Sequence, residues 1–83
     1  MPTVLRSGPR LRVVIYPNDH RPAHVHVIGA DYEMVFHLHC PEGPPELLEN
    51  YGGSRQRVRR AVGQLMNHVT ELCGEWERIH GPV

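Results

Sequence analysis

Lysine is absent from this chain: all nine basic residues are arginine. Arginine is the better bidentate binder of carboxylates and phosphates, although a GC-rich coding sequence accounts for the missing lysine with no binding role at all. Long apolar runs are also missing. The longest is Val13-Val14-Ile15-Tyr16, whereas a helix that crosses a bilayer needs about 20 residues, so no membrane span is expected. The N-terminus lacks the apolar stretch of a secretory signal. Only two cysteines occur, Cys40 and Cys73. They form no C-x-x-C pair and no disulfide framework, and they read as two ordinary thiols in a reducing, cytoplasmic setting, with Cys73 on the core stripe of a helix. Net charge is absent as well, since nine acidic residues balance the nine arginines. Most dedicated nucleic-acid-binding domains are basic, so this balance counts against that class.

What the chain does have is enough apolar residue, 40% against 22% charged, to fold as a globular unit. Its 83 residues make a single domain, 1–83. The charge is blocked. Residues 1–30 carry four Arg and one Asp, residues 31–50 carry five acids, residues 54–60 carry four Arg and residues 71–77 carry three Glu.

Leu11 to Tyr16 is β-branched and apolar and runs into Pro17-Asn18-Asp19, the composition of a strand that ends in a turn. His24 to Ile28 and Tyr32 to His39 form two more strands around Gly29-Ala30-Asp31, a hairpin. Val4-Leu5 can add a short strand before a Ser7-Gly8-Pro9 turn. Strand side chains alternate between faces, so Val25, Val27, Met34, Phe36 and Leu38 share one face. His24, His26, Glu33, Val35, His37 and His39 share the other. A Gly29-Ala30 loop sets His26 opposite Glu33, whereas an Ala30-Asp31 loop sets His24 opposite His37, and the sequence does not choose. Residues 41–53, with three Pro, three Gly and three Glu, read as an irregular connection with one turn near Pro45–Asn50. Ser54 then caps a helix whose Val58, Ala61, Val62, Leu65, Met66, Val69, Leu72, Cys73, Trp76 and Ile79 keep helical spacing, until Gly81-Pro82 stops it. The fold class is therefore α+β: a three- to four-stranded antiparallel sheet with one long C-terminal helix packed on one face.

The chemistry sits in the histidines, five of which fall between His20 and His39. His24 and His26, two apart on a strand, point the same way about 7 Å apart. Such a pair can hold a metal with His37, Glu33 or Cys40 completing the set. It can equally work as general acid and base beside Arg12 or Arg21, which would stabilise a phosphate. The plain alternative is that a solvent-facing strand face must be polar, and His-x-His pairs are common without metal. No cofactor is demanded by this pattern, and zinc is the one it allows. His68 and His80 read as ordinary helix-surface residues. Arg55, Arg57, Arg59 and Arg60 crowd the helix N-terminus, where the dipole disfavours positive charge. They either bind something, with His20, His24, His26 and His37 as the other candidate binding residues, or pair with Glu46 and Glu49.

Three stretches carry a family resemblance: the opening Met1-Pro-Thr-Val-Leu-Arg6, the run Tyr16-x-Asn18-Asp19-His20-x-Pro22-x-His24-Val25-His26-Val27, and Glu75-Trp76 late in the helix. Together they resemble the small bacterial proteins of domain-of-unknown-function family 4160. The chain departs from that pattern at Ala23, where the family usually has a second proline. It departs again in the long Pro41–Pro45 stretch and in Gly52-Gly53-Ser54, which lacks the usual apolar residue before the helix cap. The resemblance implies a member of a toxin–antitoxin-like gene pair, with a protein partner and an RNA or translation target. It carries over no catalytic residue.

The leading expectation is thus a small cytoplasmic protein of such a pair that binds a cognate protein or associates with itself. The alternatives are a metal-independent ribonuclease using His24 or His26 with Arg12 or Arg21, and a His-rich metal-binding or nucleic-acid-binding module.

Overall fold

The computed structural model describes residues 3–6 and 11–81. The β-branched and aromatic runs form strands, as their preference for a pleated, half-buried surface dictates. They are β1 (Thr3–Arg6), β2 (Arg12–Ile15), β3 (His24–Ile28), β4 (Glu33–His37) and β5 (Glu46–Tyr51), and α1 (Arg55–His80) follows. The strands pair antiparallel in chain order, β1-β2-β3-β4-β5. The anticipated Ser7-Gly8-Pro9 turn lies outside the described residues.

In the β3–β4 hairpin His24 faces His37 and Ile28 faces Glu33, which makes Ala30-Asp31 the loop. Gly29 and Tyr32 close it, the Gly29 amide donating to the Tyr32 carbonyl at 2.9 Å. The Tyr32 ring lies against Gly29 and leaves no room there for a Cβ.

Period-two alternation sends Val25, Val27, Met34 and Phe36 to one face, all fully buried. Helical periodicity gathers Ala61, Leu65, Val69, Leu72, Cys73 and Trp76 on one side of α1. The two surfaces join in one core with Val13, Ile15, Ala23 and Leu38. Ser54 caps the helix by accepting from the Arg57 amide at 3.2 Å, and Gly81, at φ 87°, closes the other end by donating to the Glu77 carbonyl.

Two expectations need correction. Residues 46–51 form a fifth strand where an irregular connection with one turn was anticipated. All six residues of β5 are exposed, so no buried alternation marks it in the sequence. It holds its place by backbone pairing with β4, interrupted by a bulge opposite Val35 and Phe36. The second correction concerns the cysteines, which are not two separate thiols. They form a disulfide, Cys40–Cys73, with Cα atoms 5.8 Å apart. The turn after β4 folds back over the helix, with Gly43 donating to the His39 carbonyl. That fold-back brings together two residues 33 apart in sequence.

Candidate histidine–carboxylate site

The site begins with a turn. Asp19 donates its amide to the Tyr16 carbonyl at 3.1 Å, and its carboxylate accepts the Tyr16 amide at 3.1 Å. Short polar side chains commonly bond local backbone in this way, and here the bond fixes a carboxylate at the end of β2. Alternation on β3 puts His24 and His26 on one face, as the sequence pattern required, and both rings approach that carboxylate. His24 Nε2 lies 3.6 Å from Asp19 Oδ2 and His26 Nε2 lies 3.3 Å from it.

The remote nitrogens are also held. His24 Nδ1 is 3.0 Å from the Pro22 carbonyl, and His26 Nδ1 is 3.3 Å from Glu33 Oε2. Aromatic rings flank the group. Tyr16 meets His26 edge-on at 5.0 Å between centroids, and buried Trp76 lies 5.3 Å from His24. The His24, His26 and Asp19 side chains keep 18%, 16% and 14% of their surface exposed. The group is therefore recessed but open to water.

His37 does not join this group. It stacks on His39 at 3.8 Å, and Glu46 lies 2.8 Å from His39 Nε2, forming a second cluster where β4 ends and β5 begins. Partial burial pushes the His37 pKa below its ordinary value, the neighbouring His39 lowers it further, Glu46 opposes them and His24 adds a smaller lowering. An open hollow of about 530 Å³ lies beside this cluster, lined by Arg21, Pro22, Ala23, His37, His39 and Cys40. Arg21 donates to the His80 carbonyl at 3.0 Å, so its guanidinium faces the helix C-terminus. Arg12 stands opposite Ile28 and is exposed on the histidine face. His20 is exposed in the turn.

His80 is not an ordinary surface residue as anticipated. It stacks on Trp76 at 3.8 Å, and its Nε2 lies 3.2 Å from the Tyr16 carbonyl. The helix end is thereby tied to the turn that carries Asp19.

The arginine cluster lies apart from all of this. Arg57 pairs with Asp31 at 2.9 Å and covers the Tyr32 ring at 4.7 Å, which places it at the hairpin loop. Asp31 takes the role anticipated for Glu46 and Glu49. Arg57 and His80 are 23 positions apart along the helix, a rise of roughly 35 Å, so this cluster and His80 lie at opposite ends of α1. Arg55, Arg59 and Arg60 are exposed and make no ion pair among the described residues.

Sequence reasoning missed Asp19 as a partner of the histidines. Its only signal was the Asn18-Asp19-His20 turn, separated from His24 by three residues, which reads equally well as punctuation. Among the described residues two sets of side chains are close enough to hold a metal ion: Asp19, His24 and His26, and His37, His39 and Glu46. Among the described residues no helix is long and apolar enough to cross a membrane.

No curated protein and no solved structure matches this chain. The family described as a domain of unknown function (DUF4160) matches residues 11–77, a span that includes the Asp19 turn, both histidine clusters and the Cys40–Cys73 pair. The chain belongs to that family.

Proposed function

We propose that this protein acts by binding a cognate partner protein, as one member of a toxin–antitoxin-like pair, and that the partner adds a strand to β5. The observation that carries this reading is the character of β5. It is the last strand of the sheet, so its outer backbone groups face no described strand, and Leu47, Leu48 and Tyr51 are 37%, 52% and 60% exposed. An exposed edge with apolar side chains is a template for strand addition. Its charge selects the occupant. Glu46 and Glu49 lie on β5, and pairing with a second copy would crowd four carboxylates into about 20 Å. A partner strand with apolar residues beside Lys or Arg fits better.

A cytoplasmic site of action belongs to the same proposal. Disulfides open in reducing compartments, so alkylation of protein taken directly from cells tests it. Two labelled thiols support the cytoplasm, and protected cysteines exclude it.

The partner reading is tested by size-exclusion chromatography with light scattering, on the chain alone and with the product of its adjacent gene. A one-to-one complex is expected. Leu48→Ser and Glu49→Lys, both at exposed positions, should weaken it about tenfold or more. A monomer that ignores its neighbour overturns the proposal, as does a complex indifferent to both changes. A homodimer through β5 would put a second copy in place of the cognate partner.

A further inference from the structure

We propose that His24 Nε2, His26 Nε2 and the Asp19 carboxylate form a binding site for a divalent transition-metal ion, zinc foremost, with one coordination position left open. This inference stands apart from the partner-binding reading and rests on different residues.

The tautomers carry the argument. A carbonyl oxygen only accepts hydrogen bonds, so the His24 Nδ1 held 3.0 Å from the Pro22 carbonyl bears the hydrogen. In the neutral ring, Nε2 then presents a lone pair. That lone pair faces Asp19 Oδ2 at 3.6 Å, two acceptors pointed at each other. His26 repeats the pattern. Its Nδ1 faces the Glu33 carboxylate and its Nε2 faces both Asp19 oxygens, at 3.3 and 3.4 Å. With both imidazoles in that tautomer three electron-rich atoms converge on one point, and a positive charge between them relieves their repulsion. A metal ion meets that need, and so does a proton on each imidazole. The two are separated by experiment below.

The distances suit a metal. All three donor atoms lie within 4.8 Å of one another. Tetrahedral zinc, with bonds near 2.0–2.2 Å, sets its ligands roughly 3.3–3.6 Å apart. The 3.3 and 3.6 Å separations between Asp19 and the two imidazoles fall in that interval.

Each ligand also has an outer partner. Metal-binding histidines typically donate their other ring N–H to a carbonyl or carboxylate, which orients the ring and makes the ligating nitrogen more basic. Pro22 does this for His24 and Glu33 for His26, while the Tyr16 amide holds Asp19. Tyr16 and Trp76 wall the imidazoles and limit their rotation. Two imidazoles and one carboxylate select zinc, cobalt or nickel over magnesium and calcium, which prefer oxygen-only sets. Three protein ligands leave the fourth tetrahedral position to water or to an incoming group.

The test uses the tag-free, full-length, disulfide-bonded protein. Calorimetric titration with zinc chloride should show one site per chain, unaffected by excess magnesium. His26→Asn and Asp19→Asn should each weaken it about tenfold or more, and Glu33→Gln, which alters only an outer partner, about tenfold. His37→Gln and His39→Gln should leave it unchanged. X-ray absorption at the zinc edge of the unaltered protein should show two imidazoles, oxygen and no sulfur, and this decides the matter even if a variant fails to fold. The proposal is overturned by no binding in tenfold zinc excess, which leaves protons as the balancing charge. It is also overturned by binding that follows His37 and His39, or by a zinc edge with sulfur or no imidazole.

Discussion

His37 and His39 stack face to face beside Glu46. His37 is partly buried, and its pKa lies below the usual 6.5, first because of that burial and then because of His39. The folded state therefore resists protonating it while the unfolded state does not. Below pH 6.5 the unfolded chain binds the extra proton, so stability falls with acidification. The His37 contribution is fully present above pH 6.5 and is lost as pH falls through the lower, folded-state value. Thermal melts of the parent and His37→Gln between pH 8 and pH 5 should show a shallower decline in the variant. Equal slopes would mean that His37 binds protons alike in the folded and unfolded chain.

Among the elements, α1 shows how local signals and packing divide the work. Its buried stripe supplies most of its stability, as helices in proteins generally require. Its N-terminus depends on one side chain, because the first turn contains no acidic residue and Ser54 alone satisfies the Arg57 amide there. Ser54→Ala should cost about 1 kcal/mol in chemical denaturation, and Ser54→Asp should retain most of the cap. Ser54 is exposed, so the loss would report the cap rather than a cavity. An Ala variant as stable as the parent would show that the Arg57 contacts with Asp31 and Tyr32 hold the helix start unaided. Edge strand β5 is the opposite case, an element held by pairing with little burial of its own.

The whole molecule spans 32 × 25 × 21 Å and has two chemically distinct ends. At one, Arg57 locks the hairpin loop to the helix start. At the other, Arg21, His80 and Trp76 bind the helix end to the Asp19 turn and to His24. The Cys40–Cys73 bond links the connection after β4 to the C-terminal third of α1 and closes a loop between residues 33 apart in sequence. Loop-closure entropy for that length amounts to about 3–4 kcal/mol. That is a large share of the roughly 5–15 kcal/mol typical of a domain. Denaturant midpoints with and without a reductant should differ accordingly, and Cys40→Ser should match the reduced parent. Identical midpoints would show the two sulfurs unbonded in solution.

By itself the sequence determined the elements whose signals are local. The 3.6-residue spacing from Val58 to Ile79 and the Ser54 cap defined the helix. The alternation in His24–Ile28 put both imidazoles on one face and both valines in the core. These follow because side-chain direction in a helix or strand repeats with a short, known period. Tertiary structure decided everything that depends on which distant segments meet. It chose the hairpin register and the pairing of exposed β5 with β4. It drew Cys40 to Cys73, brought Asp19 to the histidines while setting His37 beside Glu46, and placed His80 against the Tyr16 carbonyl. None of these leaves a periodic trace. The contacts join turns and strand ends to remote residues, and their positions follow from the shared packing of sheet and helix rather than from any local run of residues.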